Sequence, residues 1–124
     1  MQKTKLMTNY KRGDIVLVSF VFSDESGVKQ RPSVVISTDE YHSQRQEVII
    51  QAVTSRTDRI LIGDYLIRDW KEARLISPSV ATGIIRTVKR DMIIRKLGTL
   101  SNYDLNEIEQ QLVAIVGLKR GVGK

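Results

Sequence analysis

The chain has 124 residues, 20 Lys+Arg against 14 Asp+Glu, a formal net charge of +6, one histidine and no cysteine. With a pI near 9.8 and a mean hydropathy of −0.19, this composition describes one basic, soluble, globular domain, too apolar for a disordered chain and too polar for a membrane one. The missing cysteines exclude a thiol nucleophile, a disulfide framework and a Cys/His zinc cluster, and no G-x-S-x-G elbow is present to supply a serine to His42.

In chain order, residues 1–10 read as a loose polar leader without the apolar run of a secretory signal, so a cytoplasmic location is expected. After the turn Arg12-Gly13, the β-branched and aromatic run from Asp14 to Phe22 predicts a strand. Residues 23–31 predict a polar loop centred on Gly27, and Pro32 is placed at the first residue of a second strand ending at Ser37. A polar turn over 38–46 leads to a third strand, Glu47 to Thr54. The apolar run from Ile60 to Ile67 predicts a fourth strand with a bulge at Gly63. The segment around Trp70 carries no assignable pattern. Pro78 and Gly83 break the stretch 77–83, after which Ile84–Val88 and Met92–Gly98 resume strand character around a short basic turn.

From Ser101 the period changes. Leu105, Ile108, Leu112, Ile115 and Val116 recur at helical spacing, and Ser101 with Asp104 resembles a capping box with Asp in place of Glu. A helix over 101–118 is expected, ended by Gly117 and Leu118, with residues 119–124 a frayed basic tail. Short strands followed by one amphipathic helix predict a single mainly β domain: a small, strongly curved antiparallel sheet or barrel with the helix laid upon it.

The positive charge is unevenly spread. Residues 1–31 carry six bases and three acids, residues 63–96 eight bases and four acids, while 32–62 and 97–124 are near balance. If the fold joins the two basic regions, they make one positive surface. Hydroxyls and arginines are plentiful, but no tight carboxylate cluster is visible to hold Mg²⁺. One reaction these groups can assist is cleavage of RNA by its own 2′-hydroxyl. There the substrate supplies the nucleophile, and the protein stabilises a doubly charged phosphorane and helps the 5′-oxygen leave. Arginine suits both tasks, because its planar fork clamps phosphate oxygens and stays charged.

Five strings carry a family resemblance: Lys11–Val18, Gln30–Ser37, Val53–Ser55, Ile84–Val88 and Lys96–Ser101. Their order and spacing, with the terminal helix, resemble the MazF/PemK toxin family over about residues 10–118. The resemblance implies a compact SH3-like β-barrel with a C-terminal helix, a homodimer, and a metal-independent endoribonuclease that needs no cofactor. It also implies a substrate of single-stranded RNA, cut to a 2′,3′-cyclic phosphate and a 5′-hydroxyl, and a cognate acidic antitoxin as partner.

Carried over by position, Arg31 before Pro32 matches the catalytic arginine and Thr54 the catalytic threonine. Ser55 and Arg86 match positions that contact RNA. In the PemK branch an Asp stands two residues after that arginine, and here Val88 does, which favours the MazF-type Arg/Thr arrangement. Lys29 and Gln30, in the loop before Arg31, are candidate contacts to phosphates or base edges. His42 lies outside every matching string and reads as a solvated loop histidine. Two other classes stay open: a gyrase-poisoning toxin of the same fold, which needs no Arg31/Thr54 pair, and a non-catalytic nucleic-acid-binding barrel, for which few aromatics can be spared from the core.

Overall fold

The computed structural model describes residues 9–21 and 27–118. Six strands form one antiparallel sheet: β1 (Asp14–Val21), β2 (Val28–Val35), β3 (Glu47–Thr54), β4 (Tyr65–Leu66), β5 (Val80–Lys89) and β6 (Ile93–Thr99). Among the described residues two α-helices, α1 (Asp39–Gln44) and α2 (Asn102–Val116), and a single 3-10 turn at Arg90–Met92 complete the fold. The strand order is β4-β5-β3-β2-β1-β6. The sheet does not close into a barrel, because β4 and β6 remain at its two edges.

Partners in an antiparallel ladder point to the same face, so the register sorts the core into two layers. On one face Ile15, Val34, Val53 and Ala81 pack with Leu100 and with Ile108 of α2. On the other, Val16, Val18, Phe20, Val35, Ile50 and Val88 make a second cluster, with Tyr10 against it. Tyr10 thus belongs to the fold and not to a leader, while residues 1–8 and the tail 119–124 lie outside the described residues.

The strand predicted over 47–54 matches β3 residue for residue, its buried positions alternating on both faces. The second strand starts earlier than predicted. Residues 28–31, read as loop, pair with β1 through Val21↔Val28, Phe20↔Lys29, Ser19↔Gln30 and Val18↔Arg31. All four are exposed, so no burial pattern marks them in the sequence. Pro32 therefore sits inside β2, at a point where the strand is paired with β1 alone: the β2–β3 ladder covers only Ser33–Val35. The far side of β2 is an edge there, which is where a sheet accepts proline.

The predicted strand over 60–67 shrinks to Tyr65–Leu66. Its first half is a turn in which Gly63 adopts φ 95°, and a Cβ there would come within 2.8 Å of Ile115 Cγ2. Gly63 is required by both conformation and space, because α2 presses on the turn. The polar turn 38–46 contains α1, capped by Thr38, whose hydroxyl accepts from Tyr41 N at 3.2 Å. The bulge lies in β5, not at Gly63. Val53 pairs with Ala81 but Gln51 with Ile85, so Thr82, Gly83 and Ile84 face Ala52 alone.

At the start of α2, Ser101 Oγ accepts from Asp104 N at 3.1 Å, as the capping signature predicts. Asp104 does more than close a box. Fully buried, it accepts from Tyr65 Oη at 2.5 Å, Arg68 N at 3.0 Å and Asp69 N at 2.8 Å. It thereby ties the segment around Trp70 to the helix. Gly117 ends α2 in the left-handed conformation, φ 71°. Val116, expected on the apolar face, is exposed.

Candidate active site

The register places the candidate residues before any side chain is considered. Ser33 pairs with Ala52, so continuing that ladder by two residues would set Arg31 opposite Thr54. The ladder stops first, and a cleft opens between the two strands. Arg31 shares its face with Val18, its partner on β1, and Arg86 shares the same face with Ile50, its partner on β3. Thr54 is four residues beyond Ile50 and on that face as well, by the alternation of a strand.

The cleft has a volume of about 640 Å³, and Gln30, Arg31, Thr54, Ser55 and Arg86 all line it. The two basic regions seen in the sequence thus supply one arginine each to one surface. Lys29 is not among the lining residues; it stands on the exposed hairpin, opposite Phe20. Arg56, Ser77 and Ser79 also line the cleft and were not foreseen. Arg56, two residues after Thr54, was open to notice as the end of a Thr-Ser-Arg turn. The serines of 77–79 are brought in by the path of a loop that no periodicity describes.

Among the described residues each of these groups keeps donors free. Thr54 Oγ1 accepts from Arg56 N at 3.1 Å, which fixes the oxygen and leaves its O–H to donate. Arg86 lies with its guanidinium carbon 4.9 Å from the centre of the Phe20 ring. The ring face holds the cation without neutralising it. The hydrogen bond of Arg31 is a long one, 3.5 Å, to the carbonyl of its own neighbour Gln30. Among the described residues neither Arg31 nor Arg86 is paired with a carboxylate, and none of the cleft-lining residues is His, Asp or Glu. Arg56, the third arginine of the cleft, pairs with Asp58 at 3.3 Å, and the guanidinium groups of Arg31 and Arg86 with the neighbouring hydroxyls are suited to hold phosphate oxygens.

The bulge in β5 forms the adjoining wall. Thr82 Oγ1 donates to Ala52 O at 2.8 Å, and Gln51 Nε2 donates to Thr82 O at 2.8 Å. These bonds hold β3 and β5 together where the regular ladder is interrupted.

His42 is not the solvated loop residue expected. It lies on α1, partly buried, with Nε2 2.6 Å from Ser37 Oγ, and Ser37 Oγ in turn accepts from Ile49 N at 2.9 Å. Burial, together with the neighbouring Arg90, lowers its pKa below the ordinary value, against a smaller opposing pull from Asp39. It does not line the cleft. No group of three or more His, Cys, Asp or Glu converges among the described residues. No helix among them is long and apolar enough to cross a membrane.

The fold has counterparts among solved structures. An endoribonuclease from a Mycobacterial species, in complex with its cognate antitoxin, superposes with a TM-score of 0.73 at 17% identity, over 90% of this chain and 99% of its own. A MazE-MazF structure from Deinococcus radiodurans gives 0.76 at 18% identity, over 91% of this chain and 100% of its own. The Mycobacterium tuberculosis toxin MazF-mt6 gives 0.68 at 17% identity, over 86% and 99%. At these identities the likeness establishes the shared fold, a mainly β antiparallel sheet with a C-terminal helix. Family membership comes from the sequence itself, whose residues 11–116 match the family described as PemK-like, MazF-like toxin of type II toxin-antitoxin system. The chain belongs to the PemK-like, MazF-like toxins of type II toxin-antitoxin systems.

Proposed function

We propose that this toxin is an endoribonuclease that cuts single-stranded RNA in the cleft between β2 and β3. The observation that carries the reading is the pair of arginines Arg31 and Arg86, neither with a carboxylate partner among the described residues, in one cleft with the hydroxyl of Thr54. Similar folds are described as endoribonucleases, one of them with its cognate antitoxin.

In this reading the RNA 2′-hydroxyl attacks the adjoining phosphorus and the bond to the 5′-oxygen breaks. Arg31 and Arg86 bind the equatorial oxygens as negative charge accumulates on the phosphorane. Thr54 donates to the same phosphate and keeps the attacking oxygen in line. No imidazole or carboxylate of the described residues lines the cleft, so the proton of the 2′-hydroxyl passes to water and the leaving 5′-oxygen takes a proton from water as its bond to phosphorus breaks. The products are a 2′,3′-cyclic phosphate and a 5′-hydroxyl, and no metal takes part.

The partners in this reading are a second copy of the chain and an acidic antitoxin whose tail occupies the basic cleft in place of RNA. Digestion of a single-stranded RNA pool in EDTA, with both ends of every product mapped, tests the proposal. Cyclic phosphate and 5′-hydroxyl ends at full rate are expected. Intact RNA, or 3′-hydroxyl ends that require Mg²⁺, would sink it.

A further inference from the structure

A second hollow, of about 420 Å³, opens beside the cleft, and Thr54, Arg56, Thr82 and Ile84 line both. Its frame is fixed by hydrogen bonds to backbone. Asp64 accepts from Leu61 N through Oδ2 at 2.9 Å and from Gly83 N through Oδ1 at 2.8 Å, tying the turn before β4 to the bulge in β5. Helix α2 supports the same turn through the contact of Ile115 with Gly63.

The walls are unexpectedly apolar for a surface loop: Leu61, Ile62 and Ile84 are all exposed, Ile62 at 92% of its surface. Side chains of this kind, grouped at the rim of a polar cleft, mark a surface that is covered when a ligand binds. Asp58 lines the same hollow, and its Oδ2 accepts from Arg56 Nη2 at 3.3 Å. The guanidinium holds this carboxyl below the ordinary range, so at neutral pH Asp58 is purely an acceptor.

We propose that this hollow reads the base adjoining the scissile phosphate, with Leu61, Ile62 and Ile84 against its flat face and Asp58 accepting from its N–H edge. The base that fits is guanine, whose N1–H and N2–H₂ lie side by side and match a carboxylate. A single-stranded substrate leaves that edge open, because its bases are unpaired. Arg56, which lines both hollows, then stands beside the backbone that joins the read base to the scissile phosphate. The inference rests on the endoribonuclease reading for what occupies the neighbouring cleft.

Binding to uncleavable oligonucleotides separates the two. Short 2′-O-methyl strands that differ only in the base on either side of a central phosphate are titrated against the full chain by fluorescence anisotropy. Wild type is expected to bind guanine about tenfold more tightly than the other bases at one of the two positions. Asp58→Asn removes that preference and leaves affinity for the other bases within about twofold, while Leu61→Ala weakens all four bases alike. Equal binding of the four bases by wild type, or an undiminished preference in Asp58→Asn, overturns the proposal. A base preference in a protein that cuts no RNA overturns the endoribonuclease reading alone.

Discussion

Arg31, on β2, and Arg68, in the turn that follows β4, are both exposed arginines, and their surroundings differ in one respect. Arg68 makes two hydrogen bonds to the carboxylate of Asp69, at 3.0 and 3.1 Å, and its guanidinium carbon lies 3.7 Å from the centre of the Tyr103 ring. Beneath it Asp104 is buried with every donor around it engaged. On the cleft side Arg31 has a single long bond to a neighbouring carbonyl, and Arg86 rests on an aromatic face. Among the described residues, then, Arg31 and Arg86 of the cleft have no carboxylate partner, whereas Arg68, and Arg56 at the edge of the cleft, each have one. Leaving these two guanidinium groups without an acid partner among the described residues gives up attraction that the protein makes elsewhere, where it pairs Arg12 with Glu109 and Arg45 with Glu47. The loss is small at a surface, where such a pair contributes roughly 0–1 kcal/mol, and the gain appears when a phosphate arrives.

If that contrast is right, substitutions on the two sides separate stability from activity. Asp104→Ala strands the Tyr65 hydroxyl and two backbone N–H groups in the interior, at about 1–3 kcal/mol each before relaxation. A loss of about 3 kcal/mol or more in urea unfolding is expected, with the remaining folded protein cutting RNA normally; a stable variant would show that the network is incidental. Thr54→Val keeps the shape and removes the donor, so cleavage falls about tenfold while the unfolding midpoint stays in place, one neutral hydrogen bond being worth about 1 kcal/mol. Unchanged cleavage would assign Thr54 to strand packing.

The smallest effect is one of pH. The pKa of His42 is lowered in the folded state from 6.5, so below that pH the unfolded chain takes up a proton that the fold resists. Stability is therefore full above about pH 6.5 and declines as pH falls through it. Unfolding free energies at about pH 7.5 and 5.5 should show this slope, and His42→Gln should flatten it while leaving cleavage unchanged.

Which parts were legible in the sequence follows from burial. Strand β3 is buried on both faces and α2 on one, so their periodicities match the structure nearly residue for residue. Val28 to Arg31 are exposed on both faces and carry no pattern, although they are a strand. Ile60 to Ile62 mislead in the opposite direction: apolar residues that read as a strand because burial is assumed, yet stand exposed in a turn. Helix α1 is too short, at six residues, for a period to show. Arg31, Thr54 and Arg86 were found through the resemblance of their strings, and the fold explains why they belong together. Arg56 could be read from its place two residues after Thr54, whereas the place of Asp58 depends on how a loop turns after β3, which local sequence does not encode.

The central claim is that Arg31 and Arg86, without carboxylate partners among the described residues, do the chemistry, and cleavage by Arg31→Ala tests it most directly, with Arg12→Ala as the paired control. Rates on a single-stranded RNA are measured on the same preparations as urea unfolding. The account predicts a fall of about 10²–10³ for Arg31→Ala at unchanged stability, and the wild-type rate for Arg12→Ala with a loss of at most about 1 kcal/mol. Wild-type cleavage by Arg31→Ala would contradict it.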